Sequence, residues 1–239
     1  MEGEDMTAPC AGVVSEPRPL AVPAWEGNLE KLKALIEAGA DPRERRSEAL
    51  MLAVINRHAE CVEFLAPLSN ARQLKSGALM VAAGNGDVKC LRALLPFSCL
   101  RANGLSAMEV AARADQPECL SLVAAACESH LGPLHTVLAE AARSGGSACV
   151  KLVLELQPGA RRSAAMSEAI SCGNVDGARA LLHGGGLLAT KKKAAMLLAE
   201  ARQKGASEIE RLILSHLERS YLRAAIATPN AAPRPRARL

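Results

Sequence analysis

Four of the eight cysteines stand at a near-constant interval: Cys61, Cys90, Cys119 and Cys149 are separated by 29, 29 and 30 residues. Regularly spaced thiols could ligate zinc, form disulfides or carry redox chemistry, and each option demands a particular geometry. Zinc needs four ligands that converge, commonly from closely spaced Cys pairs or from Cys with His. The chain has no such Cys pair, and His58, His130, His135, His183 and His216 share no spacing with the cysteines. A disulfide needs Cα atoms within roughly 7 Å, whereas neighbouring packed helices lie about 8–10 Å apart. The column therefore reads as packing, with Cys acting as a small buried hydrophobe. Gly184, Gly185 and Gly186 follow a helical stretch instead of opening one, so they do not make a phosphate cradle. No Ser/His/Asp set or paired carboxylates stand out. The expectation is a protein with no catalytic residue, no metal and no cofactor.

What sets the interval is an internal repeat. A second column, the small apolar pairs Ala53-Val54, Ala82-Ala83, Ala111-Ala112 and Ala141-Ala142, steps by the same 29, 29 and 30 residues. Two columns advancing together mark a tandem array of structural units. Each unit reads as two short helices. In one second helix, Val88, Leu91, Leu94 and Leu95 fall on a single helical face. Turns between the two helices are expected at Gly27, Arg57, Gly86, Asp115, Gly145, Gly173 and Gly205, which makes seven units. Glycine there supplies the left-handed backbone that ends a helix; Arg57 and Asp115 depart from it. No unit can bury its apolar face alone, so the units must stack.

Composition agrees with close-packed helices. Hydrophobic residues are 49% of the chain but aromatics only 2%, so the apolar mass is Ala, Leu, Val and Cys. That mix disfavours a β-sandwich and base-stacking nucleic-acid modules. Tetratricopeptide repeats need a Trp/Tyr pattern, and HEAT or armadillo units are longer; the chain has one Trp and one Tyr. The acidic start, Met1 to Met6, has no apolar core behind it and is not a signal peptide. No run of about 18 apolar residues spans a membrane. The cytoplasm or nucleus is the expected compartment. Residues 1–17 lack helical periodicity and are expected to be disordered, as is the Pro-broken, Arg-containing tail from Thr228; the array itself is placed at 18–218, with 219–239 as tail.

These units resemble the ankyrin repeat family, whose unit is a hairpin-like turn followed by two helices. Pro19-Leu20 stands for that family's Thr-Pro-Leu, and the stretch from Gly27 to Asp41 is similar to its second helix and exit. The spacing is shorter than the family's, so the connecting hairpins should be stubby, with little regular strand. In style the chain is similar to divergent, Ala/Cys-rich ankyrin-only proteins. The resemblance implies an all-α, ankyrin-type helical solenoid with short connecting hairpins. It also implies that His58 braces its turn, and that the two variable residues after each small pair line a concave groove. Trp25, Ile55, Arg113 and Arg143 are the preferred anchors there, since Trp and Arg dominate many interfaces. Pro23 falls inside the first helix, which is expected to be short and to begin near it.

A second surface follows from charge. The connections hold Arg43, Arg45, Arg46, Arg72, Lys75, Arg101, Arg161, Arg162, Lys191, Lys192 and Lys193 against two acids, Asp41 and Glu44. Several precede helix N-termini, where the dipole disfavours cations, so they do not serve helix stability. They read either as a solvated surface or as a basic hairpin edge that meets an acidic partner. The expected function is a monomeric scaffold or adaptor for another protein with an acidic surface. A regulatory or targeting subunit of an enzyme complex is the first alternative. The second is electrostatic binding to nucleic acid or an anionic membrane, which the scarcity of aromatics weighs against.

Overall fold

The structure, a computed structural model, describes residues 19–69, 77–127, 132–183, 187–188 and 190–227, with side chains through 219. The segments expected to be disordered at 1–17 and from Thr228, the glycines at 184–186, and Arg72 and Lys75 lie outside the described residues.

Helices follow in pairs: α1 (Ala21–Glu26) with α2 (Leu29–Glu37), α3 (Glu44–Ile55) with α4 (Ala59–Leu65), α5 (Gly77–Asn85) with α6 (Val88–Leu94), and α7 (Leu100–Arg113) with α8 (Pro117–Ala126). The series continues with α9 (His135–Ser144) and α10 (Ser147–Leu156), α11 (Arg162–Ser171) and α12 (Val175–His183), and α13 (Lys191–Gln203) and α14 (Ser207–Ala227). First helices pack in one layer, α1 on α3 and so on to α13, and second helices pack in another, α2 on α4 and so on to α14. Among the described residues there is no strand. The fold is an all-α solenoid, as the repeat implied.

The two columns explain the stacking. Ala53, Ala82, Ala83, Ala111, Ala112, Ala141 and Ala142 are fully buried, so first helices approach with no side chain to hold them apart. The buried residues of the second helices are larger, Leu65, Leu91, Leu94 and Val123 among them. Cys61, Cys90, Cys119 and Cys149 are buried, free thiols in the core that runs from Leu20 to Ile213. Burial pushes all four thiols up, Cys149 to about 12 with help from the Asp115 carboxylate. In the sixth unit Gly177 takes this place, where an added Cβ would come within 2.6 Å of the Ala142 carbonyl oxygen. The column thus faces the preceding unit's first helix.

All seven expected turn positions are left-handed, from φ 51° at Asp115 to φ 87° at Gly145. Arg57 holds this conformation without glycine's freedom, and its Nη2 donates to the Asn85 carbonyl of the next unit at 2.8 Å. This bond belongs to a series along the turn edge. His58 Nε2 is 2.9 Å from the Trp25 carbonyl oxygen, Ser144 Oγ donates to Ala112 O at 3.0 Å, and Asn174 Nδ2 donates to Arg143 O at 3.0 Å. Carbonyls at helix C-termini lack intrahelical partners, and the neighbouring unit supplies them. The brace implied for His58 is present.

Several boundaries differ from expectation. Helix α1 begins at Ala21, two residues before Pro23. Proline in the first turn lacks an N–H that would have had no intrahelical partner there, and the Pro23 carbonyl accepts from Asn28 N at 2.9 Å. Helix α7 starts at Leu100, which places Arg101 in its first turn instead of in a connection. Likewise Lys191, Lys192 and Lys193 form the first turn of α13, where the Thr190 hydroxyl accepts from Lys193 N. Arg162 opens α11. At the other end α14 runs to Ala227, across the boundary drawn at 218.

Candidate interaction surface

Two register columns run across the first-helix layer. The residue before each small pair is Val22, Leu52, Val81, Val110, Glu140, Glu168 and Glu200; the residue after it is Trp25, Ile55, Gly84, Arg113, Arg143, Ser171 and Gln203. The face changes character along its length. It is apolar through the first four units of the first column and acidic in the last three.

At the N-terminal end, Trp25 is 54% exposed and Ile55 44% exposed. Among the described residues Trp25 is therefore a surface side chain. Val22, one turn before Trp25, is 56% exposed. The later members of its column are half-buried because each has a preceding layer to lean on: Val110 Cγ1 occupies the space an added Cβ on Gly84 would need, at 2.9 Å. Val22 has no such layer among the described residues.

Further along, Arg113 and Arg143 are tied to acids. Arg113 Nε donates to Glu140 Oε2 at 3.0 Å, Arg143 Nη1 lies 3.6 Å from Glu140 Oε1, and Arg143 Nη2 donates to Glu168 Oε2 at 2.9 Å. One ladder thus clamps the fourth, fifth and sixth units, and Ser167 Oγ extends the pattern to Glu200 Oε2 at 2.9 Å. The Arg113 hydrogen bond holds the Glu140 carboxyl below its usual range; partial burial opposes this, and the charges of Arg113 and Arg143 reinforce it. Both guanidiniums are pushed up in turn, each chiefly by its hydrogen bond, Arg113 to Glu140 and Arg143 to Glu168. Sequence reasoning singled out the two arginines and missed their acids. The signal was present, because Glu140, Glu168 and Glu200 occupy one register column.

The expected basic edge divides into two parts. Arg45 and Arg46, with Ser47, adopt left-handed conformations at the base of α3 (φ 49°, 60° and 63°). Arg45 and Arg46 share a shallow hollow with Glu48 and Met51. Asp41, Glu44 and Glu48 alternate there with Arg43, Arg45 and Arg46, so that finger carries as many acids as cations. Arg161 and Arg162, by contrast, lie at the N-terminus of α11 beside Lys191, Lys192 and Lys193 of α13. No acid occurs in 156–167 or in 183–199.

The first-helix face, the second-helix layer and the short connections match known structures. The ankyrin repeat domain of human ASB11 superposes with a TM-score of 0.64 at 23% identity, covering 84% of this chain and 98% of that one. The chain has the ankyrin repeat fold. A bacterial ankyrin repeat domain, ABAYE2397 from Acinetobacter baumannii AYE, is also similar, at 24% identity and a TM-score of 0.47, covering 83% of this chain and 97% of that one. No family model matches the sequence. No curated protein matches it either. Among the described residues of this ankyrin array, no group of three or more His, Cys, Asp or Glu is placed to hold a metal ion. None of its helices is long and apolar enough to cross a membrane.

Proposed function

We propose that the array is a protein-binding scaffold or adaptor that receives a partner against its first-helix face, with Trp25 and Ile55 as the apolar anchors. One observation carries this reading: neighbouring register positions hold large apolar side chains open to solvent, where the same column further along is satisfied by ion pairs. An aromatic and a branched aliphatic side chain, left exposed side by side on a rigid layer, form the kind of anchor that dominates interfaces. Arg113 and Arg143 line the same face and present guanidinium edges already oriented by Glu140 and Glu168. The basic hairpin edge, with Arg45, Arg46, Arg161, Arg162, Lys191, Lys192 and Lys193, borders that face and is read as a second contact for an acidic partner surface. The alternative partner is a catalytic subunit that the array targets or regulates; assaying captured material for activity separates these two forms of one binding function.

The test is affinity capture with quantitative mass spectrometry, comparing the intact chain with Trp25→Ala/Ile55→Ala. Both positions are exposed, so the double variant should keep its helical content. Selective loss of one or a few captured proteins supports the reading. An unchanged capture profile with intact folding overturns it.

A further inference from the structure

Five cations gather at the start of α11 and α13. Arg161 is the N-cap residue of α11, and Lys191, Lys192 and Lys193 fill the first turn of α13, which packs directly against α11. Counting back from the small pairs, Arg161 and Lys193 hold the same register position one layer apart, a separation of about 10 Å for packed helices. That is close to the screening length of about 8 Å at physiological salt, so the charges reinforce one another's potential. Arg161, Lys191, Lys192 and Lys193 are exposed and make no ion pair among the described residues. Glu168 is held by Arg143, and Glu200 by Ser167. These cations also sit at helix N-termini, where they oppose the dipole. Among the described residues, no acid pairs with Arg161, Lys191, Lys192 or Lys193 to offset that placement.

An apolar side chain accompanies the charge. Met196 follows Lys192 by four residues, on the same side of α13, and is 55% exposed. An unbranched thioether of this kind adapts its shape to an incoming apolar group. We propose that this ledge takes an acidic protein segment, one whose Asp and Glu residues meet Arg161 and Lys191 to Lys193 while an apolar residue about one helical turn away covers Met196. The inference rests on the protein-binding reading above and names the chemistry of one part of the partner. Three features select protein over polyanion. Lysine predominates, offering point charges instead of the guanidinium fork that suits phosphate. There is no aromatic platform for bases in α11 or α13. The cations border an apolar contact, which a nucleic-acid backbone would leave unfilled.

Fluorescence anisotropy on the full chain tests this with three probes: a fluorescein-labelled peptide of alternating Glu and Asp with a central Leu, an oligothymidylate of similar charge, and phosphatidylcholine–phosphatidylserine vesicles scored by co-sedimentation. The peptide should bind. Its affinity should fall at least ~10-fold in Lys191→Glu/Lys192→Glu/Lys193→Glu, because paired charges become repulsive. Met196→Ala should weaken it several-fold without altering the salt dependence, whereas replacing the peptide's acids by Gln should abolish binding. Acidic residues suit the first turn of a helix, so the triple variant should melt no lower than the parent, and loss of binding cannot be assigned to unfolding. Tighter binding of the oligonucleotide or of the vesicles than of the peptide overturns the assignment to protein. So does peptide binding that is indifferent to the triple variant or to Met196→Ala. If the peptide fails while Trp25→Ala/Ile55→Ala still strips a captured protein, the ledge inference falls alone and the scaffold reading stands.

Discussion

His58 Nε2 lies 2.9 Å from the carbonyl oxygen of Trp25, joining the second unit's turn to the end of the first unit's first helix. A carbonyl only accepts, so the ring nitrogen facing it carries the proton. The ring also fills the space beside Gly27, where an added Cβ would clash with it. The contact positions the helix end from which the exposed indole projects. Removing it by His58→Ala leaves the Trp25 carbonyl to water and opens a gap over Gly27. The expected loss is about 1 kcal/mol, the net worth of one such hydrogen bond. Urea unfolding followed by Trp25 fluorescence reads this directly, since that tryptophan is the chain's only one. An unchanged midpoint would remove the brace from the account.

The ladder on the first-helix face predicts an acid-sensitive contribution to stability. Glu140 has a lowered pKa in the folded state. Its contribution is therefore fully present above the unfolded carboxyl value, near 4.3, and is lost as pH falls through the lower folded value. Glu140→Gln should cost about 0.5–1 kcal/mol at neutral pH through the Arg113 contact, the range for pairs open to water. The difference between parent and variant should shrink when salt is added and when the pH drops below about 4. A gap that persists in acid would mean that packing, not charge, is lost.

Gly177 stands where four other units place a cysteine, and the backbone of Ala142 leaves no room for a side chain. Gly177→Ala should destabilise the array by about 1–3 kcal/mol, the usual effect of overpacking. Gly159→Ala, with open space around its Cβ, serves as the comparison and should stay within about 0.5 kcal/mol of the parent. Thermal melts of the two variants side by side decide the matter; equal Tm values would contradict the tight approach of α12 to α9.

Cysteine reactivity should divide by burial. Cys99 and Cys172 are exposed, while Cys61, Cys90, Cys119 and Cys149 are enclosed with thiol pKa values raised by burial. Since the thiolate is the reactive form, iodoacetamide at neutral pH should label Cys99 and Cys172 in the native array. The four column thiols should be labelled only after unfolding. Peptide mapping that finds Cys90 or Cys149 alkylated as fast as Cys172 would show that the layers open readily.

Much of this architecture could be read before any coordinates. Repetition of the Cys and Ala columns set the unit length, the helix pairs and all seven turns, because a stacked unit must present the same small surface to each neighbour. That logic is local and periodic, and it survives in one dimension. It reached even the non-glycine turns at Arg57 and Asp115, whose left-handed backbone follows from position alone. Helix starts were less legible. Lys191 to Lys193 and Arg101 look like connecting residues by charge, yet Thr190 and the packing of neighbouring layers draw them into helices.

Only the tertiary structure decided which side chains are spoken for. Arg113 and Arg143 look alike and free in the sequence, but Glu140 and Glu168 reach them from the adjacent layers. Trp25 stands open because its register position projects from the first-helix face, as it does at Ile55 one layer on. Stacking brings residues nearly thirty positions apart within hydrogen-bonding distance, and which partner arrives first depends on rotamers and layer spacing. Periodicity announces the columns; contact across them assigns each residue its work.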